Sequence, residues 1–329
     1  MTTRHGWLVL AALCAAFAGA ATAQQSEAAE EAKRAYETGD YPKTVEILKS
    51  QASQNPQNGE IYLWLAKAYF QMQDRDLAVQ SAEKAVALDP DNSEVHEWLG
   101  RAYGEKASHA FWFSALSLAK KSRHEFETAV QLDGRNFSAL QALIEYDCSA
   151  PGIAGGGEDK ALPEIEQIAK LDAAEGHYAR GNCRRHKNDF ATADLEFNKA
   201  LESDPKSADM IYDIGDYAMK RVDPDMLVRV ADAGEKAAAG DPRGEFYRAV
   251  SFILRKEKLA AAEAKLRKYL ETAPVRDNYP SPSWAHLWLG RALEEQNQPE
   301  AANRERETAV RLDPKNKAAS EQLKHLPKH

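Results

Sequence analysis

The sequence is poor in cysteine, in excess positive charge and in long apolar runs, and each shortage excludes a class of protein. Three cysteines in 329 residues are too few for the disulfide framework of a small secreted domain. Acidic residues outnumber basic ones by 51 to 43, which argues against non-specific binding to nucleic acid or anionic lipid but leaves room for a local basic patch. After Ala23, no apolar stretch is long enough to span a bilayer.

The chain also lacks the short motifs of common hydrolases. It has no Gly-x-Ser-x-Gly sequence, which would position a nucleophilic serine, and no His-Glu-x-x-His sequence, which would bind zinc. His177, Cys183 and His186 lie near one another in the sequence, but structural zinc usually takes four ligands, so we interpret these histidines as surface residues. We therefore predict a protein without metal, cofactor or catalytic activity.

The segment 1–23 is predicted to be a signal peptide. Residues 7–20 form an apolar run, and Ala21 and Ala23 supply the small side chains that precede a cleavage site. A helix of about 14 residues rises only about 21 Å, which is short of the roughly 30 Å hydrocarbon core of a bilayer. A membrane anchor is therefore the weaker alternative, and Leu13 is too bulky for lipoprotein processing at Cys14. We expect cleavage near Ala23 and a periplasmic or secreted chain.

A period of about 34 residues dominates the rest of the sequence. Leu88-Asp89-Pro90 recurs as Leu312-Asp313-Pro314, and proline is expected there because it cannot extend a helix. Small residues occupy one phase of the first helix in five of the predicted units: Ala66, Gly100, Gly181, Gly215 and Gly290. Because mid-helix glycine costs up to about 1 kcal/mol relative to alanine, we infer that a second helix passes close at this phase. Its small partners are Ala78, Ala193 and Ala302.

One unit has aromatic, Leu, small and Tyr residues on its first helix, then Ala, Ala and Pro on its second. It is built from Tyr62, Leu65, Ala66, Tyr69, Ala78, Ala85 and Pro90. This pattern resembles the tetratricopeptide repeat family over roughly residues 27–320. The resemblance implies an all-α fold, namely an α-solenoid with a right-handed superhelix of about eight helix-turn-helix units and a C-terminal capping helix at residues 317–326. Residues 24–329 would form this single solenoid, because each helical pair buries its face only against its neighbours.

The period is interrupted near residues 107–119, where three consecutive aromatic residues occur. Phe111, Trp112 and Phe113 cannot share one face of a helix. In one interpretation both helices of the unit are longer and the rings cover the extra turns. In the other interpretation the rings form an exposed apolar patch for a partner.

Two further interruptions lie near residues 149–160 and 276–283. The first contains Gly155, Gly156 and Gly157 ahead of a predicted helix, where backbone N–H groups could meet an anion. The carboxylates that follow these glycines would repel a phosphate, so a tight structural turn and an interaction loop are the other two interpretations. The last interruption is rich in proline and is predicted to be a stiff extended connector.

The resemblance also implies that certain first-helix positions line a concave groove that holds a protein or peptide. Tyr178, Tyr212 and Tyr247 share one phase in three consecutive repeats and are expected to form a ladder of rings with polar tips, unless the rings pack against adjacent helices. The full set of groove positions is Lys67, Phe70, Arg101, Tyr178, Asn182, Arg185, Tyr212, Tyr247, Trp284 and Arg291.

Cys148 and Cys183 fall on first helices of adjacent repeats at nearly the same height. Export would place both in an oxidising compartment, so the sequence leaves open a disulfide between them or two free thiols.

The leading hypothesis is an exported, non-catalytic scaffold that binds a protein or peptide in its groove, with a role in assembly or maintenance of the cell envelope. It expects no nucleic-acid partner, and membrane association only through partners. The first alternative is a small-molecule, anion-binding or enzymatic site formed by the adjoining aromatic and glycine-rich insertions. The second alternative is docking of the aromatic insertion on a membrane or membrane complex.

Overall fold

The structure is a computed structural model that describes residues 26–276 and 278–314. Every long regular element within these ranges is an α-helix, which confirms the all-α fold class. The predicted signal peptide at residues 1–23 and the predicted capping helix at residues 317–326 lie outside the described residues.

Sixteen α-helices follow one another in the described residues, and this number accommodates the eight predicted pairs. They are α1 (26–37), α2 (Tyr41–Gln54), α3 (Gly59–Gln71), α4 (Arg75–Leu88), α5 (Ser93–Ser108), α6 (Trp112–Leu132), α7 (Phe137–Ser149), α8 (Glu158–Leu171), α9 (Ala173–His186), α10 (Phe190–Glu202), α11 (Ala208–Arg221), α12 (Pro224–Ala237), α13 (Pro242–Arg255), α14 (Leu259–Thr272), α15 (Pro282–Glu295) and α16 (Pro299–Leu312). A short 3₁₀ helix, Gly152–Ala154, lies between α7 and α8.

The chain divides into two compact units, and the boundary between Leu140 and Gln141 falls inside α7. In the N-terminal unit, α3 packs against α4, α5 packs against α6, and α3 also contacts α5. In the C-terminal unit, α11 contacts α13 and α13 contacts α15, so that first helices of successive pairs again lie side by side. Stacked helical pairs require contacts within each pair and contacts between the first helices of successive pairs. Both are present, and they identify each unit as solenoid-like.

Polar side chains begin most helices of the N-terminal unit. Asp40, Asn58, Asp74 and Asn92 each accept a hydrogen bond from a backbone N–H in the first turn of the helix that follows. Helix α6 differs, because its N-cap residue is Phe111, which makes no side-chain cap hydrogen bond, and its first turn contains no acidic residue.

The small residues of the first helices mark close contacts between helices, as predicted. A Cβ atom added to Gly100 would lie 2.7 Å from the ring of Phe126 on α6, and one added to Gly181 would lie 2.5 Å from the ring of Phe197 on α10. At Gly290 the nearest atom is the backbone oxygen of Ala302 on α16, at 3.1 Å. The close approach to the second helix is therefore confirmed at three positions, but at two of them a phenylalanine ring fills the space instead of backbone.

Gly215 has a different neighbour from the one predicted. A Cβ atom there would lie 2.8 Å from the ring of Tyr247, which belongs to α13, the first helix of the next pair. The absence of a side chain at Gly215 therefore makes room between successive pairs and not within one pair.

Arg243 fixes the segment that follows α14. Its guanidinium is buried and donates to a carboxylate oxygen of Asp209 at 2.6 Å and to the backbone oxygen of Asn278 at 3.1 Å. The same group lies 4.4 Å from the ring centroids of both Tyr212 and Tyr279. A planar cation held by ion pairs and two rings is a rigid anchor, so this connecting segment is held against the N-terminal end of α13.

Gly181→Ala is expected to destabilise the protein even though alanine favours helix formation. The added methyl group would overlap the ring of Phe197, which is fully buried. Overpacking of this kind costs about 1–3 kcal/mol. Over most of that range the cost exceeds the roughly 1 kcal/mol gained in helix propensity, so the net change in the free energy of unfolding is a loss. We therefore expect a lower midpoint of urea unfolding, followed by circular dichroism.

Gly152→Ala is the matched control for this variant, since no atom lies within 4 Å of an added Cβ atom there. Its unfolding free energy should change by less than about 0.5 kcal/mol. A higher midpoint for Gly181→Ala than for the unmodified protein would contradict the packing of α9 on α10.

Candidate functional site

The first helices of the N-terminal unit carry a row in which indole rings and cations alternate. The Lys67 Nζ atom lies 4.3 Å from the ring centroid of Trp64 and 5.5 Å from that of Trp98, so one ammonium group bridges two indoles. Lys33 Nζ lies 5.7 Å from the Trp64 centroid, and Arg101 Cζ lies 5.7 Å from the Trp98 centroid. We call these five residues, which belong to α1, α3 and α5, the first-helix strip.

The ion pairs of the first-helix strip repeat with the sequence period. Lys33 Nζ lies 3.2 Å from Glu60 Oε1, and Lys67 Nζ lies 2.6 Å from Glu94 Oε1. Both partners of the second pair follow those of the first by one period of the sequence. The period therefore reproduces individual contacts between side chains, and not only the order of the helices.

The aromatic contacts beside the strip repeat in the same way. The rings of Tyr36 and Trp64 meet edge to face with centroids 5.3 Å apart, and those of Phe70 and Trp98 do so at 5.7 Å. Again the second pair follows the first by one period of the sequence. Each indole is thus held by a cation on its face and a ring at its edge, which fixes its orientation.

The charges of the strip are satisfied within the unit. Lys67 is 8% exposed and paired with Glu94, whose side chain is 50% exposed. Arg101 donates to Glu97 at 2.9 Å and to the hydroxyl of Ser138 at 2.7 Å. Both indoles remain partly exposed. The strip therefore presents oriented aromatic surface with a rim of carboxylates, which suits contact with apolar groups better than recognition of a free charge.

Three predicted groove residues, Lys67, Phe70 and Arg101, come together at this strip. The two indoles at its centre, Trp64 and Trp98, are missing from the sequence-based set. Their spacing was the available signal, since it is one full period and equals the spacing of Lys67 and Arg101.

In the C-terminal unit, two members of the predicted tyrosine ladder are buried. Tyr212 is 2% exposed and Tyr247 is 1% exposed, and their rings stack with centroids 5.7 Å apart. The Tyr247 hydroxyl donates to a carboxylate oxygen of Asp216 at 2.7 Å and to the backbone oxygen of Tyr212 at 3.1 Å. The expectation that these rings face a partner is therefore wrong, because the space beside Gly215 admits the Tyr247 ring to the core and the space beside Gly234 admits the Tyr212 ring.

The third tyrosine of the ladder belongs to a polar cluster on α9 and α11. The Tyr178 hydroxyl donates to Asp213 Oδ2 at 2.9 Å, and Arg185 Nη1 lies 3.2 Å from the same oxygen. Asn182 is 5% exposed on the same helix, so all three predicted residues of this repeat lie close to one another. Burial raises the pKa of Tyr178 well above its usual value, so the hydroxyl stays a hydrogen-bond donor.

The remaining groove predictions lie on α15. Trp284 is 36% exposed, and Arg291 Cζ lies 4.6 Å from the ring centroid of Trp288. The pairing of Arg291 with a tryptophan three residues earlier repeats the relation of Arg101 to Trp98 in the N-terminal unit.

The three rings of the aromatic insertion are exposed. The exposed fraction is 89% for Phe111, 68% for Trp112 and 72% for Phe113. Helices α5 and α6 are indeed long, at 16 and 21 residues, but the rings do not cover the extra turns. The structure thus matches the exposed-patch interpretation, and we call these three residues the aromatic tip.

The glycine-rich insertion of the C-terminal unit is a closed turn. The Gly157 N–H donates to the backbone oxygen of Asp147 at 2.8 Å, and a Cβ atom on Gly156 would lie 2.3 Å from the backbone oxygen of Ala150. Gly155 has φ +97°, a left-handed conformation that favours glycine. These features match the structural-turn interpretation, because the Gly157 amide is engaged inside the turn and does not face an anion.

Cys148 and Cys183 form a disulfide with Cα atoms 5.2 Å apart. The bond joins α7 to α9 next to the glycine-rich turn and leaves no thiol at Cys183 to ligate a metal. Among the described residues, no group of three or more His, Cys, Asp or Glu side chains could hold a metal ion. None of the helices in these ranges combines the length and apolar character needed to cross a membrane.

Comparison with known proteins identifies the repeats. Residues 35–101 match the model of the tetratricopeptide repeat family, which confirms the resemblance seen in the sequence over those residues. No curated protein matches the chain. A thermophilic tetratricopeptide repeat protein of Thermus thermophilus is 19% identical, with 64% of this chain and 98% of that chain covered and a TM-score of 0.48. A tetratricopeptide repeat protein of Parabacteroides merdae is 14% identical, with 91% and 97% covered and a TM-score of 0.42. At these values the likeness transfers no function.

Removal of the disulfide is expected to lower stability markedly. Its two cysteines are 35 residues apart in sequence, and closing a loop of that size is worth about 3–4 kcal/mol in the chain-entropy model. Cys148→Ser should therefore lower the melting temperature of the oxidised protein. Cys148→Ser/Cys183→Ser and the reduced unmodified protein should melt near the single variant, and equal melting temperatures with and without reductant in the unmodified protein would contradict the bond.

Proposed function

We propose that this chain, which carries tetratricopeptide repeats, is an exported and non-catalytic scaffold that binds a protein or peptide partner at its first-helix strip. Repeats of this family generally act as interaction surfaces. The observation that carries the proposal is the pair of oriented, partly exposed indoles at Trp64 and Trp98, held by contacts that recur with the repeat period.

The chemistry of the strip selects the kind of partner. Rings that are fixed before binding lose little entropy when a ligand arrives, and tryptophan is enriched among the residues that dominate binding energy. The neighbouring ammonium and guanidinium groups already have carboxylate partners, so an acidic ligand would have to displace Glu94 or Glu97. The proposed partner is therefore a segment with large apolar side chains, whose own N–H or cationic groups reach the exposed carboxylate of Glu94.

Export and a role in the cell envelope form the second part of the proposal. The apolar residues 7–20 and the small residues Ala21 and Ala23 support secretion. The disulfide between Cys148 and Cys183 supports it independently, because such bonds persist in oxidising compartments. A periplasmic or secreted scaffold, with partners in assembly or maintenance of the envelope, unites these features.

A photoreactive phenylalanine analogue placed at position 98 should capture the partner inside living cells. The same analogue at Ala87, an exposed position on α4, is the control for random collision. We expect a cross-linked protein that is specific to position 98 and that mass spectrometry identifies. Capture at position 87 alone would reject the strip as the binding site.

Trp98→Ala is then expected to weaken binding of the captured partner by roughly 30-fold, since truncating an interface hot spot costs about 2 kcal/mol or more. Isothermal titration calorimetry with purified proteins gives the affinity, and circular dichroism checks that the helices persist. Leu195→Ala is the control, because Leu195 is an exposed apolar residue on α10 of the C-terminal unit and is not among the predicted groove positions. Equal losses of affinity in the two variants would contradict the proposal.

A further inference from the structure

The aromatic tip is a second surface of the N-terminal unit and does not involve the first-helix strip. Its three rings form the start of α6, beside the turn that follows α5. Isolated apolar residues on a surface are ordinary, but three adjacent rings that are each more than two-thirds exposed need an explanation.

The charges around the tip have the opposite sign to the chain as a whole. The net charge of the chain is −8, yet residues 106–124 contain no acidic residue. Their basic residues are Lys106, Lys120, Lys121 and Arg123, and two histidines accompany them.

Two of these four cations are bound to acidic neighbours, and the other two have no carboxylate partner among the described residues. Lys106 pairs with Asp76 at 2.7 Å, and Arg123 pairs with a glutamate on its own helix. Lys120 and Lys121 are exposed, and within the described part of the chain no ion pair engages either of them. Lys121 Nζ lies 5.1 Å from the ring centroid of Tyr103, which leaves its charge unneutralised. Two uncompensated ammonium groups therefore accompany the exposed rings.

The helix places the rings and the two lysines at different depths. Lys120 follows Trp112 by eight residues, which corresponds to about 12 Å along α6. A helix entering a bilayer with its aromatic end first would put the rings about 5–10 Å into the interface and leave these lysines among the head groups. Exposed rings followed by uncompensated lysines at this distance match the layered chemistry of a lipid surface, apolar inside and anionic outside.

We propose that the aromatic tip docks the N-terminal unit on the surface of an anionic phospholipid bilayer. Phe111, Trp112 and Phe113 insert at the interface, and Lys120 and Lys121 contact the anionic head groups. This takes up the second alternative of the sequence analysis, docking of the aromatic insertion on a membrane, in place of the leading expectation that membranes are reached only through partners. It also goes beyond the proposed scaffold function, because none of these residues belongs to the first-helix strip.

Flotation with vesicles tests the insertion of the rings, with every variant in the mature form that begins at residue 24. Residues 7–20 are left out because this apolar run, which includes Trp7, would bind lipid by itself and mask the effect of the tip. Vesicles of phosphatidylcholine with one quarter phosphatidylglycerol should bind the unmodified protein, and Phe111→Ser/Trp112→Ser/Phe113→Ser should reduce the partition coefficient by at least about tenfold. Ile153→Ser, at a 74% exposed aliphatic residue of the C-terminal unit, is the matched control and should bind as the unmodified protein does.

The charge contribution is tested with Lys120→Gln/Lys121→Gln. Each lysine near an anionic surface is worth about 1 kcal/mol, so partition should fall about 30-fold on the anionic vesicles. It should stay unchanged on pure phosphatidylcholine. Lys220→Gln/Lys268→Gln removes two exposed lysines of the C-terminal unit and should have little effect.

Fluorescence locates the insertion in the chain. Brominated lipids should quench tryptophan emission of the unmodified protein, and Trp112→Phe should remove most of that quenching while it preserves binding. Trp98→Ala should leave vesicle binding unchanged, which separates this inference from the proposed function.

Three outcomes would overturn the proposal: serine variants that partition like the unmodified protein, equal binding to neutral and anionic vesicles, or quenching that survives in Trp112→Phe. Self-association that depends on the tip, seen by light scattering without vesicle binding, would instead assign the surface to a second copy of the chain.

Discussion

The close contact between a first-helix glycine and a buried aromatic ring is the constraint on which the helical pairs depend. At Gly100 and Gly181 a phenylalanine ring of the partner helix occupies the volume where a Cβ atom would stand. Burial of Phe197 stabilises the pair by a few kcal/mol, which offsets the cost of glycine in the helix. The partner helix can come this near only because the side chain is missing, and the burial of the Phe126 and Phe197 rings follows from that approach.

Much of the fold could be predicted from the sequence because the repeating residues are glycine, alanine and proline. These residues affect the helix at or next to their own position, so their effect can be inferred without knowing the tertiary contacts. Glycine and alanine at one phase, and proline after most second helices, predicted helical pairs that the structure contains. The tyrosines were harder, because the same phase in the repeat does not guarantee the same exposure. Tyr247 turns into the core where Gly215 leaves space and Tyr212 does so beside Gly234, whereas Tyr178 lies partly exposed beside Asp213. Only the packing of the neighbouring pair decides between these outcomes, and a single sequence does not state it.

The two surfaces of the N-terminal unit illustrate two ways of exposing aromatic rings. In the first-helix strip each indole is clamped by a cation that has its own carboxylate, so the surface is rigid and nearly neutral. In the aromatic tip the rings stand clear of the fold, and the nearby lysines lack carboxylate partners among the described residues. The first arrangement suits a protein or peptide ligand whose side chains fit between fixed rings. The second suits a lipid bilayer, which has no fixed shape for rings to match.

The interruption of the period in the third repeat limits how far the strip extends. Lys33 and Lys67 each reach a glutamate on the next first helix, but the position one period after Glu94 is Thr128, which lies on α6. Arg101 therefore turns to Glu97 and Ser138, and the regular series stops after three helices. With neighbouring helix axes about 8–10 Å apart, three helices span roughly 20 Å, which is the length of about six residues of extended peptide. For the partner proposed above, the interruption therefore limits the length of segment that can contact the row of rings, and a longer ligand would extend past the row without gaining contacts from it.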